Sequence, residues 1–464
     1  MKSAKNIHFL GIAGTAMGSI AVMAANSGFR VTGSDNAVYP PMSNYLDKEN
    51  IKFYNGYNAA NLSDDIDLVI VGNAISRGNL ELEEVLNRRI AYCSLAEFLR
   101  FYYLQKTTNI CITGTHGKTT TSAMTAFCFE KGGLKPGYFI GGVPADFATS
   151  ARNGEDYFIL EADEYDTAYF DKRSKFFHYL PRMALINNIE FDHADIFNSL
   201  EEIKLSFTRF VKLIPQNGFL LYNGDCASSS EVAKESFCYR ESFGFSDQVT
   251  WKIDNIGQYE EFQSFDLIGP DLQLKNIPLS LPGQHMVSNA AAALILAFHA
   301  GIDPDQLQKC FENFKGVARR AERHVLKSGA VFIDDFAHHP TAINKTLDGF
   351  KKMYPDRKLA VLLEPRSNTM VRNFFAGQLT ESLSVADDVL IAPLHRVEKI
   401  PENERLPISD VLHELREKNK RAEQLDTKED FIEKIKNYDS EDYLIVMLSN
   451  GSFLGIKEKI LAEF

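Results

Sequence analysis

The run from residue 109 to residue 130 constrains the fold of this chain more than any other. Asn109-Ile-Cys-Ile-Thr113 has the apolar, β-branched texture of a short strand. Gly114-Thr-His-Gly-Lys118-Thr119 follows, and then residues 119–130 continue without glycine or proline, as a helix would. A strand that turns through glycines straight into a helix is the first half of a βαβ unit, so the sheet it feeds is parallel and covered by helices. The same corner carries chemistry. Glycines let backbone N–H groups approach a phosphate, and the helix N-terminus adds its positive dipole. Lys118 would neutralise charge on the β- and γ-phosphates, and the Thr119 hydroxyl would ligate Mg2+. The strict phosphate-loop pattern asks for glycine where this chain has Ile112. The contacts expected to grip ATP are Gly114, Thr115, His116, Gly117, Lys118, Thr119 and Thr120.

Similar alternation surrounds this corner. Residues 7–10 read as a strand and 15–27 as a helix. Residues 29–32 read as a strand ending near Asp35, and 68–71 as another. The loop Gly11-Ile-Ala-Gly14-Thr-Ala-Met-Gly18 sits between strand and helix, where a pyrophosphate could bind. A purely structural tight turn is the alternative there. Asp35 would meet a ribose or a base. Residues 251–281 differ, with β-like alternation, turn residues and few helix signals, as in a small antiparallel sheet. Pro282-Gly283 closes that stretch, and an alanine-rich helix starts from Val287. Beyond Arg323, strands are expected at 330–333, 359–363, 388–391 and 443–447. Loops follow the first two of these strands, at Asp334 to Pro340 and at Glu364-Pro365-Arg366. Residues 404–436 are charged and read as a solvated helical layer.

A length of 464 residues suits about three domains. The expected class is therefore α/β, with a Rossmann-like N-terminal domain (1–107). A central P-loop-type ATPase domain with a small antiparallel sheet (108–322) and a Rossmann-like C-terminal domain (323–464) complete it. The net charge of −12 argues against nucleic acid or an anionic membrane surface as partner. No two of the six cysteines form a CxxC pair, which argues against a zinc site and suits a reducing compartment. The apolar helix at 290–300 is too short to cross a bilayer, so no membrane insertion and a cytoplasmic location are expected.

Several clusters bear on catalysis. Glu161, Asp163, Glu164 and Asp166 follow an apolar strand, and four acids so close need a cation or base among them. Asp192-His193 follows the Asn187-Asn188 turn. A carboxylate and an imidazole at neighbouring strand ends suit a second Mg2+ held by phosphate. Arg319-Arg320 is either a phosphate clamp or a surface pair. Asn289 is either an adenine contact or ordinary helix N-terminal chemistry.

Together, and in this order, these residues resemble the Mur ligase family over essentially the whole chain. In that family Gly-Thr-x-Gly-Lys-Thr is the ATP loop, which accounts for Ile112. The resemblance implies a UDP-sugar site at Gly11, Ala13, Gly14, Asp35 and Asn73. It implies metal ligands Thr119, Glu161 and His193, with Asn188 beside them at the magnesium and phosphate positions, and Lys118, His193 and Arg320 as catalytic groups. Asn289, Arg320 and Asp335 join the ATP site. Ala13 and Ala16 depart from a glycine-rich dinucleotide loop. The stretches from Glu161, Asn187, Asp334, Glu364 and Ser449 resemble the branch that adds a ready-made tripeptide more than the branch that adds L-alanine. The resemblance thus implies ATP and Mg2+ as cofactors, with UDP-N-acetylmuramate and a murein tripeptide as substrates in peptidoglycan recycling. Arg366, Ser367 and Asn368 would face the peptide.

Overall fold

The computed structural model describes residues 4–39, 42–192, 196–259, 261–395 and 397–464. These fall into two compact units. One lies within residues 1–190, 201–252 and 292–310, the other within 191–200, 253–291 and 311–464.

The first unit holds a five-stranded parallel sheet. Its spatial order is Lys52–Asn55, Arg30–Asp35, Asn6–Leu10, Leu68–Val71, Tyr92–Ser94. The chain reverses direction of winding between Asn6–Leu10 and Leu68–Val71, which is where such sheets leave a crevice at their carboxyl ends. The Gly11 loop and Asn73 both lie just past those two strand ends. A second sheet includes the run Trp251–Gln258, Tyr239–Gly244, Phe219–Asn223, Met183–Ile186, Thr108–Thr113, Tyr157–Glu161, Gly137–Phe139, with Ala151–Arg152 antiparallel at its edge. Thr108–Thr113 is central, and residues 109–113 are buried, as a strand covered on both faces must be. Helix Lys118–Lys131 follows it directly, with eleven successive buried residues from Thr119 to Phe129. That all-round burial explains why residues 119–130 show no amphipathic stripe.

In the second unit, Gln263–Ile268 and Gln273–Leu279 form the antiparallel pair expected within 251–281. A six-stranded sheet has the order Glu322–Val325, Val331–Asp335, Tyr443–Leu448, Lys358–Leu363, Asp388–Ile391, Arg421–Gln424. All its pairings are parallel except that of Glu322–Val325.

Three expectations are corrected. Residues 404–436 are not a helical layer alone, because Arg421–Gln424 is an edge strand between helices Ile408–Glu417 and Lys428–Ile435. Its only apolar residue is Ala422, too little for a period-two signal. Asp334 and Asp335 end the strand Val331–Asp335 and are buried, rather than lying in the loop after it. The alanine-rich helix starts at Gln284, three residues early. Among the described residues no helix is long and apolar enough to cross a membrane.

Candidate active site

The corner after Thr108–Thr113 is shaped by two backbone positions only glycine takes easily, Gly114 at φ 137° and Gly117 at φ 83°. Helix Lys118–Lys131 opens at Gly117, so its first N–H groups have no partner within the helix. The turn after Met183–Ile186 clasps the loop from beside it. Thr115 N–H donates to the Asn188 carbonyl at 3.0 Å, and His116 N–H donates to Asn188 Oδ1 at 2.7 Å. Asn188 Nδ2 donates back to the His116 carbonyl at 3.1 Å, and Glu190 N–H donates to Thr115 Oγ1 at 2.9 Å. A methyl group on Gly114 would sit 3.0 Å from Asn188 N, so the close approach also demands glycine.

Lys118 Nζ donates to the Gly114 carbonyl at 2.7 Å and to both oxygens of Glu164, at 2.8 and 3.0 Å. Burial pulls this ammonium towards the neutral form, but Glu164 and Asp163 outweigh it and raise its pKa. The four-acid cluster thus finds its cations. Asp163 pairs with Lys175 and Asp166 with Lys172, each at 2.8 Å, while Glu164 faces Lys118. Glu161 differs. Its carboxylate accepts Thr119 Oγ1 at 2.9 Å and Gly141 N–H at 2.7 Å, and among the described residues it forms no ion pair within 4 Å. A hydroxyl and a carboxylate this close form an all-oxygen donor set, which fits a hard dication such as Mg2+. His193 lies outside the described residues.

The Gly11 loop is built differently. Gly11 N–H and Ile12 N–H both donate to the Ser34 carbonyl, at 2.8 and 3.1 Å, which ties the loop to the neighbouring strand. Asp35, at the end of that strand, accepts Ala13 N–H at 3.0 Å and the Tyr57 hydroxyl at 3.3 Å. Burial and then the Asp35 charge push the Tyr57 pKa up, so this hydroxyl stays protonated and donating. Helix Thr15–Asn26 opens at Gly14, and Asn73 is exposed in the turn after Leu68–Val71.

In the second unit, Arg320 lies 4.4 Å over the Phe336 ring. Its neighbours Arg319 and Ala321 sit at φ 60° and 54°, in the left-handed region. Asp335 holds that strained backbone by accepting Ala321 N–H at 2.7 Å and Ala337 N–H at 2.8 Å. Its pKa is raised by burial, against the pull of Arg320. Asn289 is buried on helix Gln284–His299, and its Nδ2 reaches Met286 Sδ at 3.9 Å. Arg366 contacts Glu364 at 3.3 Å, Ser367 Oγ accepts Met370 N–H at 3.1 Å, and Asn368 is exposed.

The first unit therefore gathers the ATP loop and Glu161. It also holds Gly11, Ala13, Gly14, Asp35 and Asn73. The second gathers Asn289, Arg320 and Asp335, with Arg366 to Asn368. Asn188, singled out for the magnesium and phosphate positions, is in the structure the clasp of the ATP loop. Sequence reasoning missed two supports: Gly141 orients Glu161, and Thr369 donates to Asp192 at 3.1 Å. Neither had a signal, because each acts from a loop distant in sequence.

Comparison with known proteins settles the family. Residues 6–106 match the Mur ligase family catalytic domain, 112–297 the Mur ligase middle domain, and 319–450 the Mur ligase glutamate ligase domain. The UDP-N-acetylmuramate–L-alanyl-γ-D-glutamyl-meso-2,6-diaminoheptandioate ligase of Escherichia coli K12 is 38% identical over 98% of this chain and 97% of its own length. The chain belongs to the Mur ligase family. A UDP-N-acetylmuramate–L-alanine ligase of Clostridium acetobutylicum is 34% identical, over 84% of this chain and 83% of its own. The crystal structure of a murein peptide ligase from Psychrobacter arcticus 273-4 is similar over 98% of both chains, with TM-score 0.72 and 34% identity. This Mur ligase thus has the α/β architecture of its relatives, as its sequence led one to expect.

Proposed function

We propose that this Mur ligase joins UDP-N-acetylmuramate to L-alanyl-γ-D-glutamyl-meso-diaminopimelate, driven by ATP, in the cytoplasmic recycling of murein tripeptide. The observation that carries this reading is the likeness to the Escherichia coli tripeptide ligase, which runs almost from end to end. Alanine ligases are less alike: one from Clostridium tetani also matches almost the whole chain, but at 29% identity. In this reading residues 1–107 take the UDP-sugar, 108–322 take ATP and 323–464 take the peptide.

A free carboxylate is a poor electrophile, so it must be activated. One carboxylate oxygen of the sugar's lactyl group attacks the γ-phosphorus of ATP. The bond from that phosphorus to the β,γ-bridging oxygen breaks, and ADP leaves. The tripeptide's amine then attacks the acyl carbon, the carbon–oxygen bond to phosphate breaks, and the ammonium proton is released. The protein contributes positioning and charge neutralisation, as in other phosphoryl transfers. Lys118 exchanges its contact with Glu164 for the transferring phosphoryl group. Arg320, aimed by the strained backbone that Asp335 holds, neutralises charge on the same phosphates. Asn289 contacts adenine. Thr119 and Glu161, with His193, hold Mg2+, which neutralises phosphate charge. Gly11, Ala13, Gly14 and Asn73 bound the UDP pocket, with Asp35 as the post behind its loop. Arg366, Ser367 and Asn368 receive the peptide's carboxylates.

An acceptor comparison tests this. With ATP, Mg2+ and UDP-N-acetylmuramate, the tripeptide should be preferred over free L-alanine by at least about 10²-fold in kcat/KM, measured by phosphate release. A preference for L-alanine would make the chain an alanine ligase instead.

A further inference from the structure

Arg366 follows strand Lys358–Leu363, and the loop Ser449-Asn450-Gly451-Ser452 follows the adjacent strand Tyr443–Leu448. Between them lies Glu364, buried, with a hydrogen bond on each carboxylate oxygen. Its Oε2 accepts the Ser449 hydroxyl and also Phe453 N–H at 3.1 Å. Its Oε1 accepts Arg366 Nη1 at 3.3 Å. Ser449 Oγ in turn accepts Gly451 N–H at 2.9 Å. The loop is therefore pinned at three points that do not involve Arg366.

Gly451 is where loop and arginine meet. A Cβ built there would lie 2.3 Å from Arg366 Cδ, 2.4 Å from Nε and 2.6 Å from Cζ, and these are its three nearest atoms. Real Cβ atoms do not approach so closely, so one partner must move. The loop is held by Glu364 and by its own backbone bonds, whereas the arginine is a flexible side chain that is 32% exposed. The arginine would move. Gly451 has no positive φ, so an alanine there meets no backbone strain.

We propose that Gly451 is a specificity-determining residue for the peptide acceptor: its missing side chain is the slot across which Arg366 lies, and Glu364 turns the guanidinium within that slot. The proposal rests on the reading of Arg366 as a receiver of peptide carboxylates. A guanidinium fork recognises a carboxylate through fixed, paired geometry, so a shift of its stem costs recognition even when the charge remains.

The experiment is a double-mutant cycle of Gly451→Ala and Arg366→Ala on the full enzyme, with steady-state constants for each substrate and thermal unfolding of each variant. Gly451→Ala should raise the tripeptide KM about tenfold, as expected when a charged hydrogen bond is lost. The KM values for ATP and UDP-N-acetylmuramate, and the Tm, should stay close to wild type. In the Arg366→Ala background the same substitution should add less than about twofold, because the side chain it displaces is already gone. An equal cost in both backgrounds would overturn the proposal, as would loss of fold in both. If Arg366→Ala raised the tripeptide KM and Gly451→Ala did not, the slot would be wrong and the peptide reading would stand. If Arg366→Ala left that KM unchanged, the peptide reading of Arg366 would fall and this inference with it.

Discussion

The loop after Asn6–Leu10 and the loop after Thr108–Thr113 are the same corner of a parallel sheet, and they are filled in opposite ways. In the first, residues 11–18 carry no charged side chain, and the nearest carboxylate, Asp35, is committed to the loop's own Ala13 N–H. In the second, a lysine stands in the loop and is balanced by Glu164 at 2.8 Å. On the proposed function the difference has a chemical reason. A pyrophosphate that is only held needs N–H groups and a helix dipole. A phosphoryl group that changes partner needs a cation that can release one anion and take another. The Lys118–Glu164 pair is such a device, kept charged by its two acidic neighbours despite burial.

The largest expected effect comes from breaking that device. Lys118→Ala should lower kcat by about 10²–10³, the usual cost of losing one contact to developing charge. It should also lower the Tm, because buried Glu164 loses the ammonium that donates to both its oxygens. Lys118→Ala/Glu164→Ala should recover most of the Tm and none of the activity. Phosphate-release kinetics with thermal unfolding separate the two effects. Full turnover by Lys118→Ala would place the transferring group elsewhere.

Much of this contrast was legible beforehand, and the reasons are local. Gly114, Gly117 and Gly11 announce turns because their φ values leave little choice. Both loops sit between an apolar strand and a helix, which chain order alone reveals. The need for cations among Glu161, Asp163, Glu164 and Asp166 could also be stated from repulsion. Which cations serve could not, because Lys118 reaches Glu164 only once Thr108–Thr113 and Tyr157–Glu161 pair in register. Asp35 was singled out for a ribose or base contact near a strand end. Its bond to Ala13 depends on the pairing of Arg30–Asp35 with Asn6–Leu10. The hairpin Asp166–Ala168 with Asp171–Ser174 and the edge strand Arg421–Gln424 gave no periodic signal, being too short or too polar. Glu364 was noted only as part of a motif, since its partners Ser449 and Phe453 lie 85 and 89 residues on.

A second, smaller test removes the post behind the first loop. Asp35→Ala frees Ala13 N–H and the Tyr57 hydroxyl together. The KM for UDP-N-acetylmuramate should rise about tenfold, in line with hydrogen bonds to a charged group. The kcat should change little, because nothing at this loop is transferred. A fall in kcat as large as that of Lys118→Ala would erase the distinction between a holding loop and a transferring one.

The smallest effect is expected where this chain departs from a glycine-rich loop, at Ala13. Within that loop the backbone enters the left-handed region only at Gly11, at φ 90°, while Gly14 stays at φ −65°. Gly11→Ala should therefore cost about 1–2 kcal/mol of stability through strain. Ala13→Gly has no such strain to relieve, and should cost less than about 1 kcal/mol by loosening the unfolded chain. The UDP-N-acetylmuramate KM of Ala13→Gly, measured at saturating ATP, should stay within about twofold of wild type, since the N–H that Asp35 accepts is unchanged. A tenfold fall in that KM would mean that the Ala13 methyl crowds the bound pyrophosphate. The first loop would then be limited by space, and its lack of charge would not be what separates it from the second.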